Sequence, residues 1–199
     1  MRIAYLHGFN SGGASVKGRQ LGEAITALPA GVRPGYFLPT LDHEPRKAVR
    51  ALCEWTEARA DVPVYVGSSL GGFYAIHLAE RYGAKGVLIN PALEPHRSLA
   101  PYLGPQRNPY TGGSYELTAG HLAQLEALLV ARITRPERYF LLVQAGDELL
   151  DYRVAVARLA GGWQFVQGGG DHAYRDFALQ IPAVLRFAGV DLPAASDRR

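Results

Sequence analysis

Val62-Pro63-Val64-Tyr65-Val66-Gly67-Ser68-Ser69-Leu70-Gly71-Gly72-Phe73-Tyr74-Ala75-Ile76 changes character in its middle. Its first part is short, β-branched and apolar, as in a strand buried on both faces; its last part carries helix formers at helical spacing. Strand must become helix across Gly67 to Gly71, and that junction reads Gly-x-Ser-x-Gly, the nucleophile elbow. To lift a serine hydroxyl clear of a sheet the chain must turn within a residue or two. The positions two before and two after the serine then have no room for a side chain, and Gly67 and Gly71 supply that room. The helix that follows aims its free N–H groups and positive dipole end at charge forming near Ser69, so the Leu70 amide is a candidate oxyanion donor. Two plainer readings compete. A glycine-rich turn of this kind can bind phosphate, but this one lacks the Walker Lys-Ser/Thr and a complete dinucleotide fingerprint. It can also be a tight turn with no function, which the rest of the chain must decide.

Strand and helix alternate on both sides of the elbow. Residues 2–6 read as a buried strand that opens into the small-residue loop His7-Gly8-Phe9-Asn10-Ser11-Gly12-Gly13. A helix over 15–28 is stopped by Pro29 and Gly31, and a strand over 32–38 is weakened by Pro34 and Gly35. A helix over 45–58 leads to the strand 62–66. Beyond the elbow, a helix over 70–82 ends at Gly83, where a left-handed residue is wanted. Strands over 86–90, 139–144 and 163–166 and helices over 151–159 and 173–187 complete the pattern, and 194–199 reads as a frayed polar tail. This alternation predicts a parallel sheet covered on both faces by right-handed crossovers. Residues 91–136 break the rhythm with prolines, glycines and one helical stretch over 118–132. They read as a cap-like insertion whose Tyr102, Tyr110, Tyr115 and Leu122, Leu125, Leu128, Leu129 face could wall a pocket; a long crossover with no ligand role is the alternative.

The chain has 199 residues, enough for one domain with a sizeable core over 1–199. A formal charge of +3 with scattered arginines does not imply nucleic acid. The single cysteine, Cys53, allows no internal disulfide and reads as a small core residue. With no signal peptide and no apolar run approaching membrane-spanning length, a cytoplasmic protein without a membrane partner is expected.

A serine hydroxyl is a poor nucleophile at neutral pH and needs a base, which in turn needs an orienting acid. Of the six histidines, only His172 follows the last strand, in the flexible loop Gly168-Gly169-Gly170-Asp171-His172 at the carboxyl edge of the sheet. His43, His77, His96 and His121 carry little weight. The acid should lie after the 139–144 strand, where Asp147, Glu148 and Asp151 stand. Asp147 is favoured as the first carboxylate past the strand, with Asp151 as a helix N-cap and Glu148 still open. The order Ser69, Asp147, His172 is the one the elbow motif predicts. The Phe9 amide would face that of Leu70 across an oxyanion. His7 is expected to tie the loop or touch substrate, and Ser68 to be a hydrogen-bonding neighbour.

These stretches, with Asn90-Pro91-Ala92, Tyr102-Leu103-Gly104, Asn108-Pro109-Tyr110-Thr111-Gly112 and Gly146-Asp147-Glu148-x-x-Asp151-Tyr152-Arg153, resemble the small bacterial α/β-hydrolases of the YqiA-like esterase family. The resemblance covers nearly the whole chain. It implies a carboxylesterase with a catalytic triad at Ser69, Asp147 and His172. One departure is Gly170-Asp171 in place of Gly-Asn before the histidine, an extra carboxylate expected to raise the pKa of the base. The expectation is therefore a minimal α/β-hydrolase fold, six parallel strands in spatial order 2-1-3-4-5-6. It would hydrolyse a small-molecule ester, with a thioester or mere ligand binding as alternatives, and would need no metal or organic cofactor.

Overall fold

Side chains alternate across Val64–Ser68 (β3): Val64 and Val66 face one core, Tyr65 the other, and every residue of the strand is buried. The same division runs through Arg2–Leu6 (β1), where Ile3 and Tyr5 oppose Ala4 and Leu6. Strands buried on both faces need helices on both. The computed structural model describes residues 1–192, so the tail expected at 194–199 lies outside the described residues. After β1 come Val16–Thr26 (α1), Gly35–Phe37 (β2), Pro45–Glu57 (α2), β3, Leu70–Tyr82 (α3) and Gly86–Ile89 (β4). Then follow Pro95–Ser98 (α4), Gly104–Arg107 (β5), Ser114–Leu117 (β6), Ala119–Ala127 (α5), Tyr139–Gln144 (β7), Tyr152–Arg158 (α6), Trp163–Gln167 (β8) and Ile181–Ala188 (α7).

The main sheet has the order β2-β1-β3-β4-β7-β8 with every ladder parallel, which is the expected 2-1-3-4-5-6 once β5 and β6 are set aside. α1 and α7 cover the face that carries Ile3, Tyr5, Val66 and Val87; α2 and α3 cover the face that carries Ala4, Leu6, Tyr65 and Leu88. Because β2 and β3 flank β1, the winding reverses between β1 and β3, and the loops after those strands meet at that crevice.

Four expectations are corrected. The elbow strand starts at Val64, two residues later than read, because Val62 is exposed, and it runs on to Ser68, paired with Ile89. The closing helix begins at Ile181, not at 173. Tyr174 and Asp176 adopt positive φ, 61° and 60°, which no helix tolerates, and a 3-10 turn over Phe177–Gln180 intervenes. The helix expected over 118–132 is confined to Ala119–Ala127, with Thr118 as its capping residue. The 91–136 segment also contains an antiparallel hairpin, β5–β6, that its prolines and glycines had hidden.

Candidate active site

Ser69 sits between β3 and α3 at φ 54°, ψ −120°, a conformation a residue with a Cβ rarely holds and one that costs on the order of 1–3 kcal/mol. The two glycines are explained by backbone contact. A Cβ on Gly67 would run into the Gly71 carbonyl, and one on Gly71 into the Leu6 carbonyl of the neighbouring strand. The Ser69 amide donates to Ile89 O at 3.0 Å, and its carbonyl accepts from Gly72 and Ala92 at 2.9 and 3.0 Å. The turn is thus pinned from three sides, which is how strain of this size persists.

Three loops converge on it. His172 Nε2 lies 3.0 Å from Ser69 Oγ, and His172 Nδ1 lies 2.9 Å from Asp147 Oδ2 and 3.0 Å from Oδ1. Asp147 is nearly enclosed, its side chain 2% exposed. Burial pushes its carboxyl upward, but the His172 ring N–H and the amides of Leu149 and Leu150 outweigh that, leaving its pKa below the usual carboxylate range. An anionic Asp147 fixes the imidazole with its proton on Nδ1 and a lone pair on Nε2 toward the serine. Asp151 takes the other role read for it and caps α6 through Arg153 N.

The base is held by Glu148, left open above as an acid, and by Asn90 and Gln144, whose roles the sequence reading missed. Glu148 Oε2 accepts from the His172 amide at 2.9 Å. Asn90, at φ 40°, donates from Nδ2 to the Asp171 and His172 carbonyls and accepts the Gln144 amide on Oδ1. Gln144, fully buried at the end of β7, accepts from the amides of Asp171 and Arg175 and donates to Arg175 O. A Cβ on Gly170 would collide with that glutamine, so the glycine before Asp171 serves close approach. A polar residue ending an otherwise apolar strand was the available signal for both Asn90 and Gln144. The Asp171 carboxylate pairs with Arg175 Nε at 2.6 Å.

The loop after β1 lies against the serine, since a Cβ on Gly8 would sit 3.3 Å from Ser69 Cβ. Among the described residues neither the Phe9 nor the Leu70 amide is taken up by a hydrogen bond. His7 is buried and does not line the cleft above Ser69: its Nδ1–H donates to Gly8 O at 2.9 Å, and its Nε2 accepts from Leu41 N at 2.8 Å. It is a tie, the first of the two roles read for it. Burial lowers its pKa, so the folded state resists protonating it. Stability from His7 is therefore complete above its unfolded pKa near 6.5 and is lost as pH falls below that. His77, also lowered by burial, adds to the same trend. Urea unfolding at pH 7 and pH 5 should show His7→Asn less acid-sensitive than wild type, by up to about 1.4 kcal/mol per pH unit.

The β5–β6 hairpin grips this loop from outside. Tyr115 Oη donates to Asn10 Oδ1 at 2.7 Å, Asn10 Nδ2 donates to Gln106 Oε1 at 3.0 Å, and Asn108 Nδ2 donates to Ser11 O at 2.7 Å. Tyr115 thus lies behind the loop, on a smaller pocket of about 240 Å³ away from Ser69, and not in the cleft as expected.

Over Ser69 and His172 opens a cleft of about 620 Å³. Tyr102 and Tyr110 line it as expected, with Phe9, Leu99, Leu149 and Leu150. The leucines in and just after α5 do not: Leu125 is buried in the core, Leu122 and Leu128 pack against it, and Leu129 is exposed outside this cleft. Among the described residues no group of three or more histidine, cysteine or acidic side chains could hold a metal, and no helix is long and apolar enough to cross a membrane.

The same architecture is found in solved structures of low identity. Alpha/beta hydrolase domain-containing protein 10 from mouse superposes with a TM-score of 0.73 at 15% identity, over 94% of this chain and 89% of that one. A putative hydrolase from Agrobacterium vitis S4 gives 0.72 at 17% identity over 94% and 87%. Monoacylglycerol lipase of Paleococcus ferrophilus gives 0.66 at 16% identity over 94% and 93%. At these identities the likeness establishes the α/β-hydrolase fold and no more. Residues 2–189, nearly the whole chain, match the model of the family described as "Uncharacterised protein family (UPF0227)", and the chain belongs to that family.

Proposed function

We propose that this protein is a serine hydrolase of small carboxylic esters, formed by the whole chain as one domain with residues 91–136 as an insertion. The observation that carries this reading is the hydrogen-bonded run from Asp147 through His172 to Ser69, at 2.9 and 3.0 Å, opening on a cleft. Ser69 Oγ attacks the ester carbonyl as His172 Nε2 takes its proton, and Asp147 stabilises the imidazolium. The Phe9 and Leu70 amides receive the negative charge on the carbonyl oxygen. As the tetrahedral adduct collapses, His172 returns the proton to the departing alcohol. Water, deprotonated by the same nitrogen, then cleaves the acyl-serine. Each oxyanion donor is worth about 3 kcal/mol in the transition state. A fluorophosphonate should label Ser69 and stop hydrolysis of 4-nitrophenyl butyrate; a folded protein that neither labels nor hydrolyses would overturn the reading.

The grip of the hairpin on the loop serves the same chemistry. The Phe9 N–H acts on the tetrahedral intermediate more than on bound ester, so loosening its loop should show in kcat and not in KM. Removing the Tyr115 and Gln106 contacts together, as Tyr115→Phe with Gln106→Ala, should lower kcat about tenfold and move KM less than about twofold. A raised KM with kcat intact would refute this role.

A further inference from the structure

The cleft has two unlike walls. One is apolar, built from Ala92, Leu99, Leu149 and Leu150; the other comes from the start of α1 and the segment after the base, and carries Ser15, Lys17, Gln20 and Tyr174. Lys17 is its distinctive member. The Lys17 side chain is half-buried, and its Nζ donates to Ala173 O at 2.6 Å, the carbonyl of the residue that follows His172. Among the described residues no carboxylate lies within 4 Å of it. Burial lowers its pKa to about 8, with the more distant Asp171 opposing, so the ammonium is still charged at neutral pH.

A half-buried charge with only a neutral carbonyl for a partner is open to a counter-ion, and such charges are ordinarily paired. The other cation of this wall, Arg175, already has its partner in Asp171. Tyr174, buried at a φ of 61°, lies two residues past the base. An ammonium on the cleft wall whose partner is only a neutral carbonyl calls for a ligand with anionic oxygen and a single negative charge. A phosphate, with close to two charges at neutral pH, suits it less well, the more so because Asp176 stands exposed at the rim.

We propose that the ester this cleft takes carries a carboxylate on one of its two halves, bound by Lys17, while the other half lies on the apolar wall. The proposal rests on the hydrolase reading above and adds the substrate class to it. A purely structural Lys17, a strut from α1 to residue 173, would affect all esters alike.

Two matched pairs test it: mono(4-nitrophenyl) adipate against its methyl-capped form for the acyl half, and 3-carboxyphenyl butyrate against phenyl butyrate for the alcohol half. In at least one pair the wild type should prefer the anion in kcat/KM by tenfold or more. Lys17→Gln should reduce that ratio at least tenfold, Lys17→Arg should keep most of it, and Lys17→Glu should reverse it. Ratios near one in both pairs, or a ratio that survives Lys17→Gln, overturns the proposal. Binding of the two adipate esters to Ser69→Ala protein, with and without Lys17→Gln, reads the same selectivity without turnover. Failure of the hydrolase reading would look different: no ester of either pair cleaved and no fluorophosphonate label on Ser69.

Discussion

Ser69→Ala is expected to lower turnover of a short-chain aryl ester by about a thousandfold or more, about 4 kcal/mol of transition-state stabilisation. The variant removes one oxygen and with it the 3.0 Å contact to His172 Nε2. It leaves the elbow intact, because alanine retains the Cβ whose presence makes φ 54° unfavourable, and the backbone bonds to Ile89, Gly72 and Ala92 do not involve the hydroxyl. Thermal unfolding should therefore hardly move, so a loss of activity could not be blamed on a loss of fold. What activity survives would come from the amide donors and from binding alone. A loss of less than tenfold in folded protein would dispose of Ser69 as nucleophile, and the neighbouring Ser68, buried at the end of β3, would have to be tried in its place.

The elbow was legible in sequence because its constraint is steric and local: with Gly71 against Leu6 O and Gly67 against Gly71 O, no other residue fits at either position. The four central strands β1, β3, β4 and β7 were legible because strands buried on both faces must be nearly continuous apolar runs, whereas the edge strands β2 and β8 are partly exposed and were placed by the alternation with helices. The segment that follows His172 was not legible. Its composition suits a helix, and only the contacts of Gln144 and Asn90 with the backbone over 171–175 show why the chain must first turn through two left-handed residues. The hairpin was hidden for a related reason. Pro105, Pro109 and Gly112 read as loop, whereas the pairing of Gly104 with Leu117 and of Arg107 with Ser114 is a long-range choice, closed by Asn108 Oδ1 accepting from Tyr110 and Thr111. Tyr115 was misread along with it: the spacing of tyrosines in a cap says nothing about which side of a loop each one meets.

Asp147→Asn is expected to cost turnover on the order of a thousandfold to ten-thousandfold, with the fold retained, and the reason is which nitrogen of His172 holds the proton. In the native site Oδ1 of Asp147 accepts the amides of Leu149 and Leu150, both at 2.9 Å, so an asparagine oxygen would keep those bonds and stay in that position. Its NH2 group would then occupy the place of Oδ2, 2.9 Å from Nδ1 of His172. A donor facing Nδ1 requires that nitrogen to accept, which moves the imidazole proton to Nε2, the atom 3.0 Å from Ser69 Oγ. Nε2 could then give a proton but not take one, and the serine would lose its base although every heavy atom remained near its native place. Two observations separate this from a loss of structure. Fluorophosphonate labelling of the variant should slow along with turnover, since both need the same deprotonation, while its unfolding temperature near pH 7 stays close to wild type. The acid side should differ in the opposite sense: the depressed pKa of Asp147 gives wild type stability that is present above its unfolded value near 3.9 and lost as pH falls through the folded one, and the asparagine has no such group to titrate. Unfolding measured from pH 5 down to 2 should thus decline less steeply in Asp147→Asn, and a variant with near-native turnover would mean that Asp147 does not orient the base.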